Sequence, residues 1–227
     1  MDDYFIKNLA VFSPEEQCAL KEKRVLVAGC GGLGSSVTEL LARSGIGHLI
    51  LVDADRFEPS NMNRQILCTT LTLGKSKAFT ARERVLSINP DADVQAYECF
   101  LDENNARNLI RGCDIVIDAL DSVPSRLCLE DACAHENIPL VHGAVNGWAF
   151  QSGVCPAGAD ILHLLYSGKK TVHHSGGGIA MTVFACASFE VSEAIKLLLN
   201  KPDVLFGKLV FFDLFTKESQ IVSFQEE

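Results

Sequence analysis

The chain has 227 residues, 48% of them hydrophobic and 22% charged, which is enough to build one large α/β domain around a well-buried sheet. Its formal net charge of −9 argues against nucleic acid as a partner, because such binding needs a basic footprint to displace counterions. No apolar run reaches the roughly 18 residues of a membrane span, and the N-terminus MDDYFIKNLAVFSPEEQ has no secretory apolar region, so a cytoplasmic protein with no membrane partner is expected.

Ser13-Pro14-Glu15-Glu16 combines a serine cap, a proline at the first helical position and a glutamate at the third. That pattern predicts a short helix after an N-terminal arm, both within residues 1–23. Residues 25–28 are an apolar run typical of a buried parallel strand and lead directly into Gly29, Gly31, Gly32 and Gly34. A helix with Val37, Leu40 and Leu41 at helical spacing follows and ends at Gly45 and Gly47; residues 48–52 are a second buried strand with Asp53 at its carboxyl end. The next stretch has neither regular period, and a polar loop of that length is usually functional. A helix is predicted over 74–88, carrying Lys75, Lys77, Arg82 and Arg84 and stopped by Asn89-Pro90.

Residues 94–100 read as a third strand, 103–111 as a helix, and 114–118 as a fourth strand that opens into Asp121. A helix over 125–136 and a buried strand over 139–145 come next. The segment 148–154 is another strand, and it precedes an irregular segment that ends in His173-His174-Ser175-Gly176-Gly177-Gly178. A long helix over 179–200 and an antiparallel pair at 209–213 and 220–224 close the chain. This alternation predicts an α/β, Rossmann-like three-layer sandwich whose sheet is mainly parallel with C-terminal antiparallel strands.

Glycines at 29, 31, 32 and 34 allow a tight turn and close backbone approach to an oligophosphate, the helix that follows offers free amides, and an acid about 20 residues on accepts ribose hydroxyls. Strand, glycine turn, helix, strand and Asp53 therefore point to nucleotide binding. Asp53, Asp118 and Asp121 sit at strand carboxyl ends, where open parallel sheets bind ligands. A nicotinamide oxidoreductase would explain the glycine turn but would have no use for three further clusters, Asn61-x-x-Arg64-Gln65, Gly74-Lys75-Ser76-Lys77 and Asp118-x-x-Asp121.

These clusters, at their distances from the glycine turn and Asp53, resemble the ThiF/MoeB/HesA group of ubiquitin-activating-enzyme-like adenylyltransferases. The resemblance runs from about Glu16 to the C-terminal strands and includes Gly45-Ile-Gly47, Leu51-Val-Asp53-x-Asp55, Ile88-Asn89-Pro90 and Glu193-Ala-Ile-Lys196. It implies a single adenylation domain over 1–227, with 156–178 as a crossover loop. In such a domain ATP would activate the C-terminal glycine of a ubiquitin-like sulfur-carrier protein, ThiS- or MoaD-like and ending in Gly-Gly, as an acyl-adenylate with release of pyrophosphate. Carried over by position, Gly31, Gly32 and Gly34 would approach the phosphates and Asp53 would hold the ribose. Asn61, Arg64 and Lys77 would surround the triphosphate, Gly29, Asp55 and Gln65 would complete the nucleotide site, and Asp121 would hold Mg²⁺. A homodimer is implied as well.

Read as residues alone, Arg64 could form a surface ion pair, Lys75 could replace Lys77, Asp121 could cap the helix that follows it, Asp55 could simply bond the loop, and Asp118 reads as structural. Three departures from the group narrow the function. Members that go on to sulfur transfer carry two C-x-x-C pairs, whereas the nine cysteines here, at 18, 30, 68, 99, 113, 128, 133, 155 and 186, form none, so neither zinc nor a disulfide framework is expected. A catalytic cysteine is missing from Thr171-Val-His-His-Ser-Gly; Cys186 reads as core, and Cys155, next to Pro156, remains the candidate reactive thiol. His163, His173 and His174 lack a ligand spacing and read as surface residues. The N-terminal arm offers only Lys7 where dimers of the group send an arginine into the neighbouring site. The competing readings are a tRNA threonylcarbamoyladenosine dehydratase of the same group and a noncatalytic partner subunit of a ThiF-like heterodimer.

Overall fold

The computed structural model describes residues 3–167 and 178–224. The strands are β1 (Arg24–Ala28), β2 (His48–Val52), β3 (Asp93–Tyr97), β4 (Ile115–Asp118), β5 (Leu140–Asn146), β6 (Ala149–Cys155), β7 (Lys208–Asp213) and β8 (Ser219–Ser223). They form one sheet in the order β3-β2-β1-β4-β5-β6-β7-β8. Pairing is parallel from β3 through β5 and antiparallel from β5 through β8.

Successive residues of a strand face opposite sides of the sheet, and both sides are covered. Val25, Val27, Leu49, Leu51, Ile115 and Ile117 pack against α2 (Gly32–Ser44), α3 (Lys77–Ile88) and α7 (Ala180–Leu198), through side chains such as Val37, Leu41, Ala81, Val85 and Ala187. Leu26, Ala28, Ile50, Val52 and Val116 pack on the other side against α4 (Ala106–Ile110), α5 (Val123–Glu136) and α6 (Ile161–Tyr166), through Ile110, Leu129 and Ile161. Two cores explain why the first strands are apolar without interruption. Each fully buried Val or Leu contributes about 1.5–3 kcal/mol.

The chain leaves β1 toward β2 and β3, then crosses back to place β4 on β1's other side. That reversal opens a crevice at the carboxyl ends of β1 and β4. The turn from β1 into α2 is unusually close. Gly29 has φ +94°, and a Cβ on Gly34 would lie 1.8 Å from the Gly29 carbonyl oxygen.

The N-terminal arm folds onto its own chain. Residues Asp3–Ala10 form a 3-10 helix that buries Phe5 beside Gly45, and Asn8 Nδ2 donates to the Arg43 carbonyl at 3.1 Å. The predicted capping box then starts α1 (Pro14–Lys21). Helix α3 starts at Lys77 rather than at residue 74, because Gly74 has φ +76° and the Lys77 amide donates to the Asp55 carbonyl at 3.0 Å. Strand β3 stops at Tyr97, short of residue 100, and α4 is shorter than expected at both ends. The segment after β6, expected to be irregular, contains α6, whose first amides, of Leu162 and His163, donate to Glu130 Oε1 and Oε2 at 2.8 and 3.0 Å. That cap comes from α5, more than 30 residues earlier, so local patterning could not reveal it. Residues 168–177 of the expected crossover loop, including Thr171, His173, His174, Ser175, Gly176 and Gly177, lie outside the described residues. No helix among the described residues is long and apolar enough to cross a membrane.

Gly34→Ala should lower the thermal midpoint followed by circular dichroism. The clash is with backbone, so a loss of about 3 kcal/mol is expected, which lowers Tm by roughly 6–12 °C in a domain of this size.

Candidate functional site

A cavity of about 1390 Å³ opens at the carboxyl ends of the parallel strands. Ligand pockets usually measure about 300–1,000 Å³, so this one has room for a nucleotide-sized ligand and a second group. One end is lined by Gly29, Gly31 and Gly32 of the β1–α2 turn, Asp53 and Asp55 after β2, Arg64 and Gln65 of the long loop, Lys77 at the start of α3 and Asp121 after β4. The cavity continues past Arg126 of α5 to Gln151 of β6, Tyr166 of α6 and Phe211 of β7.

Of the expected glycines, three line the cavity and Gly34 does not. Gly34 instead lets α2 pack onto Gly29, while a Cβ at Gly31 would come no nearer than 3.6 Å, to the Gln65 side chain, and one at Gly32 no nearer than 3.5 Å, to Arg64 and Val183. Gly31 and Gly32 both line the cavity, and neither position is closed off by backbone as Gly34 is. Asp53 Oδ2 accepts from the Cys30 amide at 2.6 Å, and Oδ1 accepts from the Asp55 amide at 2.8 Å, so the acid ties the end of β2 to the glycine turn. Burial raises the Asp53 carboxyl above its ordinary value, against the pull of those two amides and Lys77.

Lys77 Nζ, almost fully buried, pairs with Asp55 Oδ2 at 2.8 Å, and the Asp55 side chain is 60% exposed. Lys75 is exposed and off the cavity wall, whereas Lys77 lines it. Arg64 Nη1 donates to the Ser60 carbonyl at 3.1 Å and to Asn63 Oδ1 at 2.8 Å, and its other guanidinium nitrogens have no partner among the described residues. Gln65 is buried, and its Oε1 has no partner among the described residues. Asn61 is not on the wall. Its Oδ1 accepts from the Glu58 amide at 3.0 Å, and its carbonyl accepts from the Arg64 and Gln65 amides, so it shapes the turn that presents them.

Asp121 is exposed at the cavity and has no hydrogen-bond or ion-pair partner among the described residues. Ser122, not Asp121, caps α5, its Oγ accepting from the Ser125 amide at 3.3 Å. No group of three or more His, Cys, Asp or Glu that could hold a metal occurs among the described residues. One free carboxylate still suits Mg²⁺, which commonly uses one or two acids plus water and phosphate oxygens.

Beneath the Asp121 loop lies a polar network of which the sequence singled out only Asp118. Asp118 Oδ1 accepts from the Leu120 amide at 3.0 Å; Oδ2 meets His142 Nδ1 at 2.7 Å and Arg126 Nε at 3.7 Å. Arg126 donates from Nε to the Leu120 carbonyl at 3.0 Å and from Nη1 to the Tyr166 hydroxyl at 2.6 Å. Burial alone would raise the Asp118 carboxyl, but Arg126, His142 and the Leu120 amide hold it below its usual value. Burial keeps the His142 ring below its ordinary value despite Asp118, so it is neutral. The signals available in the sequence were a histidine inside an apolar strand and an arginine one helical turn beyond the Ser122 cap.

Cys155, the candidate reactive thiol, is buried, and burial followed by Glu130 and Asp118 pushes it well above the ordinary thiol range, which makes it inert. Cys186 is fully buried core, as expected. His163 is on α6 and pairs with Asp131 at 2.8 Å, a bond that raises its pKa. Lys7 is exposed on the N-terminal 3-10 helix, off the cavity wall.

A sequence model described as the ThiF family matches residues 5–227. The SAMP-activating enzyme E1 of Haloferax volcanii is 35% identical over 205 residues, covering 88% of this chain and 76% of that protein. The adenylyltransferase and sulfurtransferase MOCS3 of Drosophila sechellia is 36% identical over 208 residues; the match covers 89% of this chain but 46% of MOCS3, about half of its length. Among solved structures, TcdA (CsdL) superposes with a TM-score of 0.75 at 26% identity, covering 87% of this chain and 94% of that one. E. coli MccB with ATP gives a TM-score of 0.79 at 23% identity, covering 93% and 67%, and that likeness speaks to the fold alone.

Glu190 of α7 is fully buried against Gly143, and neither of its carboxyl oxygens has a partner among the described residues. Burial, then Asp118, push its pKa well above the ordinary 4.5, with Arg126 opposing; Cys186 lies one turn away on the same helix. A carboxyl raised in the folded state stabilises most below the unfolded value near 4.5, and that contribution is lost as pH rises toward the folded value. Thermal melts should therefore show a Glu190 contribution to Tm that falls as pH rises above about 4.5, and Glu190→Gln should flatten that decline.

Proposed function

The chain belongs to the ThiF family, and from that premise we propose that its cleft joins ATP to a carboxylate, most specifically the C-terminal glycine of a ubiquitin-like carrier protein ending in Gly-Gly. The protein is an ATP-dependent adenylyltransferase; its product in this reading is an acyl-adenylate, with pyrophosphate released. The observation that carries it is the arrival of Arg64, Lys77 and Asp121, from three separate segments, on the glycine turn at one end of the cavity.

The chemistry follows from charge. A carboxylate attacking the α-phosphorus is already ionised at neutral pH, so no protein base is needed. Negative charge then grows on the nonbridging oxygens and on the departing pyrophosphate. Arg64, whose Nε and Nη2 have no partner among the described residues, and Lys77, held in the wall by Asp55, stabilise that charge more than they stabilise the ground state. The first turn of α2 offers amides to phosphate, and Gly31 and Gly32 let the backbone come close. Asp53 uses one lone pair of each oxygen on backbone amides and keeps the others for ribose hydroxyls. Asp121 is the residue that would hold Mg²⁺, which when bound supplies charge neutralisation for the leaving group. Burial of Cys155 and Cys186, which raises both thiols, supports a protein that stops at the adenylate rather than forming a thioester on either of them.

Labelled pyrophosphate exchange into ATP, run with candidate carriers, tests the reading. Carrier-dependent exchange is expected, and Arg64→Ala, Lys77→Ala and Asp121→Asn should each reduce it about 10²–10³-fold. Gly32→Ala should leave Tm within a few degrees and yet weaken ATP binding, because its Cβ comes no nearer than 3.5 Å to any atom of the protein, an ordinary contact, while it stands where the backbone would meet phosphate. Absence of exchange with every carrier, together with unchanged turnover in the Arg64 and Asp121 variants, overturns the proposal. ATP turnover stimulated by tRNA in place of a carrier would reassign the carboxylate to RNA.

A further inference from the structure

The end of the cavity away from the glycine turn holds two side chains whose hydrogen bonds are fixed from behind. His142 gives its Nδ1 hydrogen to ionised Asp118, at 2.7 Å, so its Nε2 is an acceptor. Gln151 Nε2 lies 2.9 Å from that nitrogen and 3.1 Å from the Tyr166 hydroxyl. Both hydrogens of the Gln151 amide are thereby used, and its Oε1 has no partner among the described residues. The Tyr166 oxygen accepts from Gln151 and from Arg126 Nη1 at 2.6 Å, so its own hydrogen is unused. Gln151 and Tyr166 both line the cavity, and the wall beside them, Val145, Leu165 and Phe211, is apolar.

We infer that Gln151 Oε1 and the Tyr166 hydroxyl form a preorganised acceptor and donor pair that reads the main chain of an extended peptide entering the cavity. The pair matches the one polar group that every residue of an extended chain repeats, an N–H and a C=O, and asks nothing of its side chains. Its orientation comes from the buried Asp118–His142 and Arg126–Tyr166 contacts, so little ordering is needed when the peptide arrives. This inference rests on the carboxylate-activation reading above and adds to it where the tail of the substrate is held. Gln151 and Tyr166 are thus substrate-binding residues, and His142 and Arg126 position them.

The test uses full-length protein and the carrier that supports pyrophosphate exchange with wild type; if none does, the adenylation reading fails, and that failure is visible before any variant is made. Gln151→Leu and Tyr166→Phe are then compared with wild type for the KM of carrier and of ATP. Each should raise the carrier KM fivefold to tenfold while leaving the ATP KM within twofold, and Gln151→Glu, which keeps an acceptor oxygen in place, should recover part of the Gln151→Leu loss. Should Gln151→Leu fail to fold, Tyr166→Phe, which removes one oxygen and no packing, decides alone. An unchanged carrier KM, or equal increases in the carrier and ATP values, overturns the inference.

Discussion

The carbonyl of Gly29 and the backbone of Gly34 touch so closely that no side chain fits between them. This contact sets the first turn of α2 directly on the end of β1 and turns its unpaired amides into the crevice. Gly29 also presses on the Ala119 carbonyl, and Asp53 holds the Cys30 amide, so the ends of β1, β2 and β4 are tied together at this turn. Loops leaving those strands converge because their starting points are fixed within a few ångströms of one another. Arg64, Lys77 and Asp121 inherit their nearness from that junction.

A second constraint lies under the first. Asp118, Arg126 and His142 are removed from water, which costs free energy unless each is paired. Their pairing is nearly complete, and a neutral histidine between an ionised acid and a glutamine leaves the group without excess charge. The same bonds clamp the Leu120 carbonyl and amide, so Asp121 stands free while its neighbours on either side are held. The exposed acid can thus meet a ligand without losing a partner, and the loop that bears it does not depend on that acid for its shape. Glu190 is the exception to this balance, a carboxyl whose pKa is pushed up by burial and by Asp118 and which is accommodated only because residue 143 is glycine.

Much of the fold was legible in the chain. Apolar runs bounded by glycine, proline and acids marked the strands, and helical spacing marked α2, α5 and α7 within a few residues. The errors were at ends and in α6. Helix α3 starts late because Asp55 captures the Lys77 amide, and α6 exists because Glu130 caps it; both causes are contacts across the fold, which local propensity does not contain. Of the candidate site residues, Gly29, Gly31, Gly32, Asp53, Asp55 and Asp121 reach the cavity wall from strand ends, whereas Arg64, Gln65 and Lys77 reach it from the long loop and the start of α3. Gly34 and Asn61 belong to the same motifs but serve packing and turn shape, a division that spacing alone could not make.

The sequence by itself determined the order of strands and helices, the glycine turn, and the acids and cations available to it, because these depend on residue type and on neighbours a few positions away. Tertiary structure alone decided which lysine faces the cavity, that Asp121 is free while Asp118 is bound, that Cys155 is inert, and that His142, Gln151, Tyr166 and Arg126 act as one array. Each of those outcomes depends on burial and on partners brought together from distant strands and helices, and burial is what changes the charge state of a side chain or leaves its hydrogen-bonding groups open.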